Sequence, residues 1–161
     1  MNISESAGDK TLQLVTFVVG QEEYGVEILS VREIIRSAAI TRVPNAPDVI
    51  RGVINLRGKV VPVVDLRSRF GLPRQDQNRA NRVVVIELAG QIVGFIVDAV
   101  REVIHVDSVL VEPPPELTVG ADEHFIAGIA RLEDRLVILL DPERVLSLEE
   151  VRALEATDLA G

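Results

Sequence analysis

Residues 52–61 read G-V-I-N-L-R-G-K-V-V, with glycine and lysine set among aliphatic side chains as in a phosphate-binding loop. Such a loop needs four residues between its glycines, then lysine and a serine or threonine, and it opens a helix whose amides face the phosphate. Here five residues separate Gly52 from Gly58, Val60 follows Lys59, and the pattern continues as a strand. Nucleotide binding is therefore not predicted. The spacing predicts a hairpin, with Gly58 supplying the positive φ of a tight turn and Arg57 held at its tip.

The other reactive residue types are as poorly placed for catalysis. His105 and His124 stand 19 residues apart with no partner at ligand spacing, so surface or packing roles are expected. The chain has no cysteine, which excludes disulfides, thiolate metal sites and a cysteine nucleophile. No serine lies in a G-x-S-x-G context. The acidic pairs Glu22-Glu23 and Glu149-Glu150 read as solvated faces, the second as part of a helix cap. No metal, no cofactor and no enzymatic reaction are predicted.

Charge is unevenly spread. Residues 32–82 carry eleven bases and four acids, while residues 83–161 carry sixteen acids and five bases, within a net charge of −8. Small β-barrels can bind single-stranded nucleic acid, but through aromatic platforms in a basic groove. Only Phe70, among four Phe and one Tyr, lies near the basic stretch, so nucleic acid is not an expected partner. The first ten residues, MNISESAGDK, lack the regions of a signal peptide and are expected to be disordered. No apolar run approaches the ~18 residues of a membrane helix, so a soluble intracellular chain without direct membrane insertion is expected.

The elements that must position Arg57 occur twice. Tyr24-Gly25-Val26 aligns with Val93-Gly94-Phe95, and Val31-Arg32-Glu33 aligns with Val100-Arg101-Glu102, both at an offset of 69. Gly52 aligns with Gly128 and Asp65 with Asp141, at an offset of 76. A unit of about 70 residues is marginal alone, so the two copies should pack against each other along a seam. Each copy reads as short β-branched strands separated by turn residues, which predicts an all-β fold of two SH3-like five-stranded β-barrels.

The expected strands are 12–19, 22–28, 32–37, 52–56 and 60–66, then 83–88, 92–98, 102–106, 128–132 and 136–140. Pro62 inside a strand predicts an edge or a bulge. One helical turn is expected at 48–51 and another at 66–70. The S-L-E-E capping box predicts a C-terminal helix over about 147–157. The boundaries read as barrel 1 over 12–72, a polar linker at 73–81 and barrel 2 over 82–145, within one domain of residues 11–154.

E-E-Y-G-V-E-I-L-S-V-R-E-I (22–34), followed by P-x-x-P-x-x-I-R-G-V-I-N-L-R-G-K-V-V-P-V-V-D-L (44–66), resembles the CheW family of chemotaxis coupling proteins. The likeness runs from about Gln13 to Leu154. It implies the same double-barrel fold and a non-enzymatic adaptor. The implied partners are the cytoplasmic tip of a methyl-accepting chemoreceptor and the regulatory domain of the histidine kinase CheA. The implied location is cytoplasmic, with recruitment to membrane-associated receptor arrays. The resemblance gives Glu33, Asn55 and Arg57 a receptor-binding role. An aliphatic groove floor is expected at Val31, Val100 and Val103.

Gly52 is expected to permit close approach of the receptor, so that Gly52→Asp would weaken binding without unfolding the protein. The copy-two equivalents of Glu33 and Arg57 are Glu102 and Glu133, two acids, which suggests that the Glu33–Arg57 pair serves a partner and not the barrel. Kinase-contacting residues are not assigned. The alternatives are a scaffold of the same kind in an array controlling surface motility or second-messenger output, and a small-molecule-binding barrel.

Overall fold

The computed structural model describes residues 11–36, 39–88, 90–114 and 125–146. The expected disordered N-terminus, His124 and the C-terminal helix lie outside the described residues. Among the described residues there are eleven strands: β1 Thr11–Val19, β2 Glu22–Glu27, β3 Val31–Arg36, β4 Ile50–Leu56, β5 Lys59–Asp65, β6 Arg82–Leu88, β7 Gln91–Val97, β8 Ala99–Asp107, β9 Val111–Glu112, β10 Ile126–Arg131 and β11 Leu136–Leu140. A single α-helical turn, α1, spans Leu66–Arg69.

Two sheets result, in the orders β8-β1-β2-β11-β10-β9 and β3-β6-β7-β5-β4. Both curl until their edges meet. A three-residue 3-10 turn, Ser108–Leu110, carries β8 into β9, which stands at the opposite edge beside β10. In the second sheet Thr41, just beyond β3, bridges to Val53 of β4. Each sheet thus closes into a small barrel, as an SH3-like fold requires.

The division of strands between barrels departs from the expected halves 12–72 and 82–145. One barrel takes the continuous stretch β3 to β7. The other is stitched from β1 and β2 and from β8 to β11. The exchange is made at two parallel pairings, Val63 with Gly94 and Leu139 with Gly25, which are the same contact in repeat coordinates. The copies resemble each other, so the second strand of either copy offers the last strand of either the same edge. Three-dimensional packing selects the crossed arrangement.

The copies still match in local detail. Asp65 accepts from the Arg67 amide and starts α1, and Asp141 accepts from the Glu143 amide and starts a 3-10 turn. The Asp65 amide donates to Val49 O at 2.7 Å and the Asp141 amide to Phe125 O at 2.9 Å. Residues 48–51 are not helical: the Ile50 amide closes a turn on Pro47 O at 2.9 Å, and β4 begins there. The β-branched run that follows favours the strand. Pro62 lies in an interior strand, contrary to the edge or bulge expected. The β5–β7 ladder starts only at Val63, so Pro62 stands just outside it.

The seam is the main core. Six buried aliphatics fill one barrel, Ile54, Val61, Val63, Val83, Val85 and Ile96, and five fill the other. A larger cluster, including Phe17, Val26, Val64, Leu66, Ile86, Phe95 and Leu146, lies between them. An aromatic row crosses it. Phe70 of the continuous barrel's chain stacks between Tyr24, at 4.7 Å, and Phe125, at 5.2 Å, which both belong to the stitched barrel. Phe70→Ala removes both stacks and most of the side-chain burial, so a loss of about 3 kcal/mol in urea unfolding is expected. A change below about 1 kcal/mol would show that the row does not clamp the barrels.

Candidate functional site

The 52–61 stretch is the hairpin β4–β5, as expected. Its loop is Arg57-Gly58, with φ of +53° and +84°. Two positive φ values make a type I′ turn, whose twist matches that of the flanking strands. Gly58 adopts this at no steric cost, whereas an arginine in the left-handed region costs on the order of 1 kcal/mol. Asn55 helps to hold the turn by accepting from the Gly58 amide at 2.8 Å.

The geometry fixes Arg57 against Glu33 of β3. Its Nη1 donates to Glu33 Oε1 at 3.1 Å and its Nη2 to Oε2, a bidentate pair. These hydrogen bonds, opposed by a lesser effect of desolvation, hold the Glu33 carboxyl below the usual carboxylate range and raise the Arg57 guanidinium. The pair is therefore formed at neutral pH and is lost as pH falls through the Glu33 titration. Arg57 remains 72% exposed while Glu33 is 28% exposed. An exposed pair contributes little to stability. What it achieves is a fixed guanidinium on a rigid ribbon.

Copy two carries a counterpart that its aligned residues concealed. Glu102 accepts from Arg135 Nη2 at 2.6 Å. Arg135 also donates from Nε to Glu23 at 2.7 Å and from Nη1 to Asp134 at 3.1 Å. Arg135 aligns with Lys59, not with Arg57, and Glu133 and Asp134 form a turn without positive φ. The argument that the pair occurs in one copy only is thus overturned: the turns differ in type, so the arginine reaches Glu102 from two positions later. A distinction survives in exposure, since the Arg135 side chain is 22% exposed and clamped by three carboxylates. The copy-two pair is built into its barrel, and the Arg57 pair faces outward.

Glu33, Asn55 and Arg57 come together at one end of the continuous barrel. Val31 and Val100 lie on different sheets, and both are partly buried against the seam cluster. Val103, expected at the groove floor, is instead 49% exposed on β8 of the stitched barrel. Alternation along β8 turns it away from the core. Gly52 is buried with φ +154°, at the point where the continuous barrel closes. A Cβ there would stand 2.3 Å from Thr41 O and 2.8 Å from Ile40 Cγ2. The expectation that Gly52→Asp leaves the fold intact is corrected by that contact. His105 shares a hydrogen bond with Gln13 across β1 and β8, a surface role. Among the described residues no group of His, Asp and Glu could hold a metal ion, and no helix is long and apolar enough to cross a membrane.

The fold and its rim define a double-barrel protein whose distinctive feature is a presented arginine. The family model of the CheW-like domain matches residues 13–150, and the chain belongs to that family. It is 36% identical over 154 residues to the chemotaxis protein CheW of Klebsiella aerogenes, covering 95% of this chain and 93% of the relative. It is 38% identical to the chemotaxis protein CheW of Helicobacter pylori, covering 86% and 83%. Among solved structures, the scaffolding protein TtCheW from Thermoanaerobacter tengcongensis is similar at a TM-score of 0.80 and 37% identity, covering 88% of this chain and 96% of that one.

Proposed function

We infer that this chain is a non-enzymatic adaptor of bacterial chemotaxis, coupling the cytoplasmic tips of chemoreceptors to the histidine kinase CheA. The family and the names of its relatives support that role. The observation that carries the receptor contact is the exposed Arg57, held by Glu33 at the end of a stiff hairpin. A guanidinium fixed in this way loses little conformational freedom on binding. Val31 and Val100, partly buried against the seam, supply further aliphatic surface for the receptor. The protein works in the cytoplasm and is recruited to receptor arrays.

The kinase needs a different surface. Ile34 and Val60 on the continuous barrel, and Val103 and Leu136 on the stitched one, are exposed aliphatics at repeat-equivalent positions. A kinase regulatory domain of the same double-barrel fold is met there. Exposed aliphatic pairs of this kind mark protein contacts.

The test is a pair of variants measured against a purified receptor tip and the kinase regulatory domain. Arg57→Glu is expected to weaken receptor binding at least tenfold and to leave kinase binding within about twofold, as truncated hot-spot contacts do. Leu136→Arg is expected to do the reverse. Equal losses of both partners in either variant, with a normal thermal melt, would sink the division of surfaces. No binding of either partner by the wild-type chain would sink the adaptor role.

A further inference from the structure

A cavity of about 540 Å³ opens where the chain runs from β3 to β4, with Arg42, Pro44, Asn45, Asp48, Arg51 and Arg74 on its walls. None of these residues takes part in the Arg57 turn or the seam row. Two of its three guanidiniums are set by one buried carboxylate. Asp65, 2% exposed, accepts from Arg51 Nη1 at 2.8 Å, and Arg74 Nε lies 3.7 Å from it. Arg74 also donates to Asp48 O at 3.3 Å. Arg42 is exposed and has no hydrogen-bond or ion-pair partner among the described residues. Three arginines thus face the space against two aspartates, one of them buried beneath it.

The backbone that carries Arg42 is rigid. Thr41 and Val53 exchange two hydrogen bonds of 2.8 Å each. Pro44 and Pro47 fix their own φ, and Asn45 holds the left-handed turn between them at φ +65°. The guanidiniums of Arg51 and Arg74 are therefore in place before anything binds, and Arg42 is free to close on a ligand from a fixed backbone. Their forks fit the oxygen pairs of carboxylates and phosphates, and the volume suits a small molecule.

We propose that this cavity binds a small oxyanionic ligand through a carboxylate or phosphate group gripped by Arg42, Arg51 and Arg74. The site does not depend on the adaptor role, since it shares no residue with the surfaces assigned to receptor and kinase.

The experiment titrates the full chain at low ionic strength with citrate and, separately, with pyrophosphate, by calorimetry and by NMR of the arginine Nε–H signals. Binding is expected to move the signals of Arg51 and Arg74, and Arg42→Glu is expected to weaken it at least tenfold. Arg36→Glu is the control: Arg36 is exposed, equally without a partner among the described residues, and outside the cavity. It is expected to bind as the wild type does. Arg42→Gln, which keeps the size without the charge, serves if the glutamate variant fails to fold.

Binding of citrate alone identifies a carboxylate ligand, and of pyrophosphate alone a phosphate ligand. Binding of both leaves the oxyanion site standing without preference. Equal loss in the Arg36 and Arg42 variants would mean diffuse attraction to a basic surface and would overturn the site. So would the absence of binding by either probe at millimolar concentration.

Discussion

Expressed separately, residues 1–74 and residues 82–161 are expected to remain unfolded, and to form the native sheets only when mixed. The cut falls in an exposed polar connection, where no strand is interrupted. It nevertheless separates β3 from β6, β5 from β7, and β1 and β2 from β8 and β11. What the first fragment keeps is two isolated hairpins, β1–β2 and β4–β5, and a two-stranded hairpin is marginal in water. The second keeps β6–β7 and the β9-β10-β11 meander, with β8 unpaired. The seam cluster, which draws on both fragments, is absent from each.

A fragment of residues 31–97 carries the whole of one sheet and should show a β signal in circular dichroism that the two halves lack. Its side of the seam, including Phe95 and Ile86, would be exposed, so association is expected as well. The measurement is circular dichroism with amide proton dispersion for all three fragments. A cooperative melt from either half alone would mean that each sequence copy builds its own barrel, and would contradict the crossed sheets.

Gly52→Asp is expected to lower stability by about 3–5 kcal/mol, a fall of roughly 10 °C in Tm for a chain of this size. Three costs add. The φ of +154° is open to glycine and strained for any residue with a Cβ. The new Cβ, 2.3 Å from Thr41 O, must break the paired Thr41–Val53 hydrogen bonds that close the barrel, each contributing about 1 kcal/mol. The carboxylate then arrives at a buried position.

Gly58→Ala makes the comparison. Nothing lies within 4 Å of a Cβ there, and φ is +84°, so only the backbone strain of about 1 kcal/mol applies. Urea unfolding of both variants tests the order. If Gly52→Asp melted like the wild type yet failed to bind the receptor, Gly52 would be a contact residue after all. Loss of binding together with loss of fold assigns it to the closure of the barrel.

The sequence by itself determined the local structure. The ten predicted strands fell within a few residues of their places because alternation and β-branching are short-range signals, and only the two-residue β9 was not foreseen among the described strands. The 52–61 stretch was legible as a hairpin with Arg57 at its tip, and the repeat was legible in its glycines and capping aspartates. The resemblance singled out Glu33 and Arg57 for a receptor-binding role, and the structure shows the two side chains bonded to each other.

Only the tertiary structure decided which strands share a barrel. Two similar copies offer each edge two similar partners, and a choice between strands 46–96 residues apart leaves no trace in either one's pattern. The same reason hid the Glu102–Arg135 pair, displaced by a change of turn type, and the steric demand on Gly52, which comes from Thr41 across the closing edge. It also hid the convergence of Arg42, Arg51 and Arg74 on one cavity, two of them drawn together by a buried aspartate. Local propensity writes the elements, and their pairing is settled by packing at the seam, where residues from both ends of the chain meet.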